Sequence, residues 1–342
     1  MAQLTPPLLE RDALASLNQL RNGPGAVRLA SHLLFTVAGG LVWAQQPWPL
    51  ALKLVGLLVC GIGLATCFAP LHECCHRTAF RSRRSNDTVA WIAGLLSFYN
   101  ATYYRRYHQW HHRYTHQPGL DPELEDPVPT NAWAYLREVS GWNWWTGKWS
   151  GYARLLWGDL SGLTYLSPEA IPQVRRSVRL QFAVYAALAL GSLVSGTGFL
   201  FWFWLLPLAV GQPVLRVLML AEHSGCSFSS DGTENTRTTL TNPAVRWLMW
   251  NMPFHAEHHL YPSLPFHALP AAHGPIAPHL RHCDRGYLAV HRRLLRNLPA
   301  LALPAWAPPA SPTGPSTPWA TFPWPAATPC RRPNSPTSRS VS

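Results

Sequence analysis

Hydrophobic residues in this chain are concentrated in four blocks, and these blocks come in two pairs. The first pair covers about residues 28–43 and 49–70 and is interrupted by "AQQPWP". The second pair covers about residues 178–195 and 198–220 and is separated by little more than "GTG". Each block is close to the ~20 residues that cross a bilayer as a helix. Because the turns are short, the pattern predicts four membrane spans in two helical hairpins.

Composition separates this prediction from its main alternative, a soluble all-α protein with four buried core helices. The chain is 47% hydrophobic and only 13% charged, whereas soluble domains carry about 25% charged residues. Soluble helices also alternate apolar and polar faces, and these blocks do not. We therefore predict an all-α integral membrane protein, with the residues between the hairpins and after them forming a cap on one side.

The distribution of positive charge predicts which side the cap faces. Of the 28 lysines and arginines, 3 lie in residues 1–28, 13 in residues 72–179 and 11 in residues 216–342, and the hairpin tips carry none. The positive-inside rule then places both termini and the cap in the cytoplasm, which suits a multi-pass protein of a bacterial inner membrane. The net charge of +12 would also suit a nucleic-acid partner, but the blocked apolar pattern favours lipid and no nucleic acid.

Three regions follow from this pattern. Residues 1–27 form a cytoplasmic N-terminal segment, and residues 28–298 form the membrane domain. Residues 299–342 carry 12 of the 33 prolines, which remove backbone donors and interrupt helices. We expect this tail to be disordered and assign it no chemistry. The seven cysteines form no C-x-x-C pair, so we interpret most of them as small hydrophobic residues in a reducing environment.

Candidate chemistry is concentrated in three histidine clusters, "HECCH", "YHQWHHRYTH" and "HAEHH". Their histidines recur at i, i+3 and i+4, so on helices each cluster points two or three imidazoles the same way. Neutral imidazole binds zinc, copper, iron and nickel. Eight ligands exceed what one tetrahedral ion uses, so two metal ions are predicted. The eight are His72, His76, His108, His111, His112, His255, His258 and His259.

Other polar residues near these clusters are also candidates. His223 directly follows the fourth block and is predicted as a ninth ligand. Metal-bound histidine commonly donates its free ring nitrogen to a carboxylate, and the possible orienting carboxylates are Glu73, Asp121, Glu222 and Glu257. His116 is expected to lie outside the ligand set. His32, inside the first block, is expected to be a packed or hydrogen-bonded residue.

Two other functions remain open at this point. "HECCH" matches the H-E-x-x-H signature of zinc metalloproteases, although such a protease uses one zinc ion and would leave six clustered histidines unexplained. A membrane protein that handles or senses metal without catalysis would also contain histidine clusters. In that case we expect readily exchanging metal and no consumption of O₂.

The stretches "HECCHRTAFRS", "YHQWHHRYTH…DPEL", "AEHSG" and "NMPFHAEHHLYPSLPFHALPAAH" resemble the three histidine boxes of the integral-membrane fatty acid desaturase superfamily. The resemblance covers roughly residues 28–295 and implies a di-iron centre, O₂ as oxidant and a lipid or fatty acyl substrate. It also implies an external electron donor such as ferredoxin, rubredoxin or cytochrome b5, because no "HPGG" haem stretch is present. The eight box histidines and His223 match the ligand positions.

The reaction that the resemblance implies is O₂-dependent desaturation of a fatty acyl chain. The superfamily also contains alkane and lipid hydroxylases, carotenoid ketolases and alkene-forming decarboxylases. The first box has three residues between its histidines, as in bacterial lipid desaturases and alkane hydroxylases alike. At Met219, acyl-CoA desaturases of the animal type carry an asparagine. The histidines alone do not separate desaturation from hydroxylation.

Overall fold

The computed structural model describes residues 8–125 and 128–301, and this part of the chain is mostly helical. Within these described residues, four helices are long and apolar enough to cross a membrane, which confirms the predicted number of candidate spans. They are Asn22–Ala44, Leu50–His76, Ala170–Val194 and Phe201–His223. Nearly all of the proline-rich tail, residues 302–342, lies outside the described residues, and its predicted disorder stays a prediction.

The described elements succeed one another as follows. The order is α1 (Arg11–Leu17), α2 (Asn22–Ala44), α3 (Leu50–Thr66), α4 (Phe68–His76), α5 (Arg83–Ser97), α6 (Ala101–Tyr114), α7 (Ala132–Val139), α8 (Trp142–Trp157), α9 (Ala170–Val194), α10 (Leu206–His223), β1 (Thr238–Leu240), α11 (Pro243–Leu248), α12 (His255–Leu260), α13 (Leu269–Ile276), β2 (Cys283–Arg285) and α14 (Tyr287–Arg296). A π-helical turn, Phe201–Leu205, precedes α10.

The second span is longer than its apolar block, which ends near residue 70. At Cys67 the backbone amide still bonds to Gly63 O and the carbonyl accepts the amide of Leu71, so α4 continues α3. The helix ends at His76, after which Arg77 adopts a left-handed conformation with φ 63°. Hydropathy falls at the first histidine box, but the helical backbone hydrogen bonds continue through it. The box therefore lies on the end of a membrane helix.

The third span also begins earlier than predicted. The apolar block begins near residue 178, whereas α9 begins at Ala170. Three arginines lie in the added turns (Arg175, Arg176 and Arg179), and arginine is a good helix former. Charge marks where the chain leaves the apolar region, while the helix itself continues beyond that point.

Small residues allow the spans to approach closely. Gly39 of α2 faces Gly56 of α3, and Gly61 of α3 faces Gly211 of α10. In membranes, such positions let helix backbones pack directly against each other. The second span is accordingly the most buried of the four, and the fourth packs against it. The third span, α9, packs against α6 and α8. The pairing of the third and fourth spans as a hairpin stays a prediction.

One small sheet was missed by the sequence analysis. Strands β1 and β2 pair in parallel, with Thr238 opposite Cys283 and Leu240 opposite Arg285. Each strand has three residues, which is too short to leave a recognisable alternating pattern. The sheet joins the segment that follows the fourth candidate span to the segment that precedes α14.

Candidate metal centre

The first histidine box lies at the end of the most buried span. His72 and His76 are one helical turn apart on α4, with ring centroids 5.3 Å apart. His72 is only 2% exposed. A histidine pair at this spacing shares a helix face, so both imidazoles project to the same side of α4.

The other two boxes lie on separate helices outside the four candidate spans. At the N-cap of α6, Asn100 accepts the backbone amide of Tyr103 at 3.0 Å. Its side-chain amide also donates to Gln181 of α9 at 2.9 Å, and this hydrogen bond joins α6 to the third candidate span. The third box forms the short helix α12, which begins at His255. His223 is the last residue of α10.

The nine predicted ligands come together in two groups. Five of them form the first group, in which the potential ligand atoms all lie within 4.8 Å of one another: His72, His76, His108, His112 and His258. Within it, His112 Nε2 is 3.0 Å from His108 Nε2 and 3.1 Å from His258 Nε2.

The second group contains the remaining four histidines. The potential ligand atoms of His111, His223 and His259 lie within 4.8 Å of one another. His255 Nε2 lies 3.0 Å from His223 Nε2 and 3.1 Å from His259 Nε2. The structure thus places His223 among the box histidines, where the sequence analysis expected a ninth ligand.

Each three-histidine box is divided between the two groups. The spacing predicts that two or three imidazoles of each box point the same way, and in the structure two of them do so in each box. Positions i and i+4 differ by only about 40° around a helix, whereas neighbouring positions differ by about 100°. His108 and His112 therefore join the first group while His111 joins the second. On α12 the division is reversed, because His258 alone belongs to the first group.

The environment of the groups keeps most imidazoles neutral. Burial, followed by the neighbouring histidines, lowers the pKa of His108, His112, His258 and His259 well below 6.5. Burial likewise lowers the pKa of His255 to about 3. Neutral imidazole is the form that binds metal. His111 is the exception: burial lowers its pKa, but Glu123 and Asp121 outweigh that effect and raise it.

The outer nitrogens of the second group are held by hydrogen bonds. His111 Nδ1 donates to Asp121 at 2.9 Å, His223 Nδ1 to the carbonyl of Asn235 at 3.2 Å, and His259 Nδ1 to the hydroxyl of Thr115 at 3.0 Å. A proton on Nδ1 leaves Nε2 with a free lone pair facing the group. This is the usual arrangement of metal-binding histidine.

Several nitrogens in the groups have no hydrogen-bond partner among the described residues. They are His72 Nδ1, His76 Nε2, His108 Nδ1, His112 Nδ1, His255 Nδ1 and His258 Nδ1. Most of these are outer nitrogens, whereas the inner ones converge: His112 Nε2 lies 3.0 Å from His108 Nε2 and 3.1 Å from His258 Nε2, so a cation between them would be stabilised by several imidazole nitrogens at once. Clustered neutral imidazoles fit transition metals such as iron, and the residues present therefore fit two such ions.

The four predicted orienting carboxylates have different roles. Only Asp121 contacts the outer nitrogen of a candidate ligand. The carboxylate of Glu73 accepts the hydroxyl of Thr78 and the amide of Phe266. Glu257 bonds to Thr238 and His273 instead. Glu222 lies 3.7 Å from His255 Nε2, the inward nitrogen.

The partners of Glu73 also bear on the protease alternative. In that reaction the glutamate of H-E-x-x-H is a general base and must face water and substrate. Glu73 is fully buried and held by Thr78 and Phe266, so it joins α4 to the segment after the third box. Its position is that of a structural residue.

Two histidines outside the ligand set take the places expected of them. His116 Nδ1 donates to the carbonyl of Ser227 at 2.9 Å, and its ring stacks on Phe228. His32 Nε2 donates to the carbonyl of Gly63 at 2.9 Å, so this span histidine is hydrogen-bonded.

Three residues that were not predicted from the sequence contact the second group. Thr115 and Asn235 bond to outer nitrogens, and Glu123 Oε2 lies 3.6 Å from His111 Nε2. Glu123 and Thr115 lie so close to the second box in the sequence that this position alone could have indicated them. Asn235 acts through its backbone carbonyl, which no side-chain pattern reveals.

The chain resembles several known desaturases. It is 28% identical to an sn-1 oleoyl-lipid 12-desaturase of Synechocystis sp. over 63% of this chain and 66% of that enzyme, just under two thirds of its length. It is 27% identical to the dihydrorhizobitoxine desaturase of Bradyrhizobium elkanii over 82% of each chain. A sphingolipid delta(4)-desaturase/C4-monooxygenase of Rattus norvegicus is 25% identical over 58% of each chain.

The family profile of the fatty acid desaturases matches residues 47–293. This range includes all three histidine boxes, His223 and three of the four candidate spans. It covers well over half of the 342 residues. The chain therefore belongs to the fatty acid desaturase family.

Proposed function

We propose that this desaturase-type oxidoreductase holds one iron ion in each histidine group and desaturates a fatty acyl chain. The observation that carries the proposal is the pair of groups, five and four buried or half-buried imidazoles, in which inner Nε2 atoms lie 3.0 to 3.1 Å from one another. Zinc is redox-inert, so oxidation of an unactivated methylene requires a metal such as iron. O₂ is the oxidant, and an external carrier such as ferredoxin, rubredoxin or cytochrome b5 supplies electrons.

The two histidine groups would hold the irons, and these would supply the chemistry for activation of O₂ and for loss of one hydrogen from each of two adjacent methylenes. The overall reaction takes the –CH₂–CH₂– unit, O₂, two electrons and two protons, and gives –CH=CH– and two water molecules. The protein's part is to hold neutral nitrogens in position. Asp121, Thr115 and the carbonyl of Asn235 do so by fixing the protons of the second group on the outer nitrogens.

The position of the groups supports a lipid substrate. His72 and His76 end the second candidate span, and His223 ends the fourth. We propose that an acyl chain approaches the histidines from the bilayer beside these spans. We propose that this end of the spans faces the cytoplasm, because the lysines and arginines concentrate there.

Hydroxylation is the second candidate, and the rat relative is the reason to keep it. Its name combines a desaturase with a C4-monooxygenase, so one protein of similar sequence has both activities in its name. Both reactions begin with removal of one hydrogen from a methylene. They differ in whether a second hydrogen leaves or oxygen returns to the carbon.

Expression in a bacterial host, with mass spectrometry of total lipids and hydrocarbons, tests the proposal. We expect acyl chains that are lighter by two hydrogens, only with O₂ and not with His111→Ala. The control His279→Ala changes an exposed histidine and should retain activity. A gain of one oxygen would instead assign the protein to the hydroxylases, and a shortened terminal alkene to the decarboxylases. Purified protein that binds zinc but no iron would contradict the proposal.

A further inference from the structure

The second histidine group has an acidic side formed by two carboxylates. Glu222 Oε2 lies 3.7 Å from His255 Nε2, and Glu123 Oε2 lies 3.6 Å from His111 Nε2. Both nitrogens face into the group, since His255 Nε2 is 3.0 Å from His223 Nε2 and the outer nitrogen of His111 bonds to Asp121. A carboxylate that only orients a ligand ring contacts the outer nitrogen. These two contact the inner one.

Glu222 is also a buried acid without a hydrogen-bond partner. It is 9% exposed, and within residues 8–125 and 128–301 its carboxylate accepts no hydrogen bond. The nearest cation on the same helix, Arg216, directs its guanidinium to the hydroxyl of Tyr99 and the sulfur of Met219. Burying an ionised carboxylate is costly unless a positive charge or hydrogen bonds compensate for it. A divalent cation in the second group would supply that charge.

We propose that Glu222 is a direct carboxylate ligand of the metal ion in the second group. The inference rests on the proposed function, which places a metal there, and adds an anionic ligand to four imidazoles. Metal–ligand bonds of about 2.1 Å place two donor atoms of one ion roughly 3 to 4 Å apart. The 3.7 Å between Glu222 Oε2 and His255 Nε2 falls in that range.

This assignment makes the two metal sites chemically different. Among the described residues, the first group consists of five imidazoles and no carboxylate. The second would combine imidazoles with a carboxylate, a donor set typical of non-haem iron. A negative ligand partly neutralises the ion and favours the ferric state. The iron in the second group should therefore be oxidised more readily than the iron in the first.

Anaerobic titration of the purified full-length protein with ⁵⁷Fe(II), followed by Mössbauer spectroscopy, tests the assignment without measuring activity. Glu222→Gln keeps the shape of the side chain but removes its charge. We expect the second equivalent of iron to bind at least about tenfold more weakly, and one of two quadrupole doublets to shift or disappear. Glu222→Asp, which keeps the charge, should retain more of the second iron than the glutamine variant.

Glu234→Gln is the matched control, because Glu234 pairs with Arg281 outside the histidine groups. Loss of this ion pair should leave both irons in place. Iron in the first group reports whether each variant is folded. Two irons with wild-type affinity and unchanged doublets in Glu222→Gln would overturn the assignment and leave the proposed function intact. Wild-type protein that binds no iron would overturn the proposed function, and this inference with it.

Discussion

The outer nitrogens of the two histidine groups differ in their hydrogen bonding. In the second group, three of the four rings donate to a carboxylate, a carbonyl or a hydroxyl. In the first group, Nδ1 of His72, His108, His112 and His258 has no partner among the described residues. Ring orientation in the first group must therefore come from helix packing alone. The second group should be the more sensitive of the two to polar substitutions nearby.

Asp121→Asn is the first test at this scale. The amide still accepts a hydrogen bond but no longer carries the negative charge that strengthens the bond from His111. Loss of such a partner typically weakens metal binding by about 10- to 100-fold, and we expect this for one iron of two in a ferrous titration. Asp159→Asn, at an exposed acid that bonds to Ser161, is the control. Equal iron affinity in both variants would contradict the predicted role.

His223→Ala tests the ninth ligand. The substitution removes one of four imidazoles from the second group, so we expect about one iron per chain by elemental analysis, and no activity. His116→Ala is the control, because the His116 ring lies 5.8 Å from that of His223 but bonds to Ser227 instead. Two irons in His223→Ala would remove His223 from the ligand set.

Among elements, the second and fourth spans depend on a glycine contact. A Cβ on Gly211 would collide with the backbone carbonyl of Gly61, so Gly211→Ala must push α10 away from α3. Helix α10 ends at His223, and α3 continues into α4, which carries His72 and His76. Displacement of α10 would therefore separate candidate ligands of both groups. Overpacking of this kind costs about 1–3 kcal/mol. We expect a lower unfolding temperature in detergent and reduced iron content.

Gly191→Ala is the matched substitution, because nothing lies within 4 Å of a Cβ at this position on α9. It should retain the wild-type unfolding temperature and iron content. If Gly211→Ala behaves in the same way, the close contact does not position the metal ligands.

The sequence predicted best those properties of the helices that depend only on residues close together in the chain. Hydropathy is a property of a short window, so four spans were predicted and four candidates are present. Helix ends depend on hydrogen bonding beyond the apolar block, and the second span consequently extends to His76. Spacing predicted that the histidines of a box share a helix, and nine candidate ligands meet. Helical spacing separates the i+3 histidine from the i, i+4 pair of each three-histidine box, but which group each of them joins depends on how α4, α6, α10 and α12 pack together.

At the scale of the whole molecule, three tryptophans of α8 indicate how this helix should lie relative to the bilayer. Trp142, Trp149 and Trp157 are between 54% and 80% exposed, although large aromatic side chains are usually buried. Tryptophan is enriched where a protein meets the headgroup region. We therefore expect α8 to lie at the membrane surface on the same side as the histidine groups.

The sidedness of the molecule can be tested with introduced cysteines. Gln109→Cys places a thiol at an exposed position of α6, between arginines and on the predicted cytoplasmic side. Thr197→Cys places one at an exposed position between the third and fourth spans, on the predicted outer side. In intact cells an impermeant maleimide should label position 197 but not position 109, and permeabilisation should expose both.

The wild-type chain is the control for that labelling. Its free cysteines in the described residues, at positions 60, 67, 74, 75 and 226, are all buried, so background labelling from them should be low. The expected result rests on the positive-inside rule, because 27 of the 28 lysines and arginines fall on one predicted side. In the proposed reaction, electrons would come from carriers inside the cell. Labelling of position 109 from outside would therefore contradict both the topology and the proposed supply of electrons.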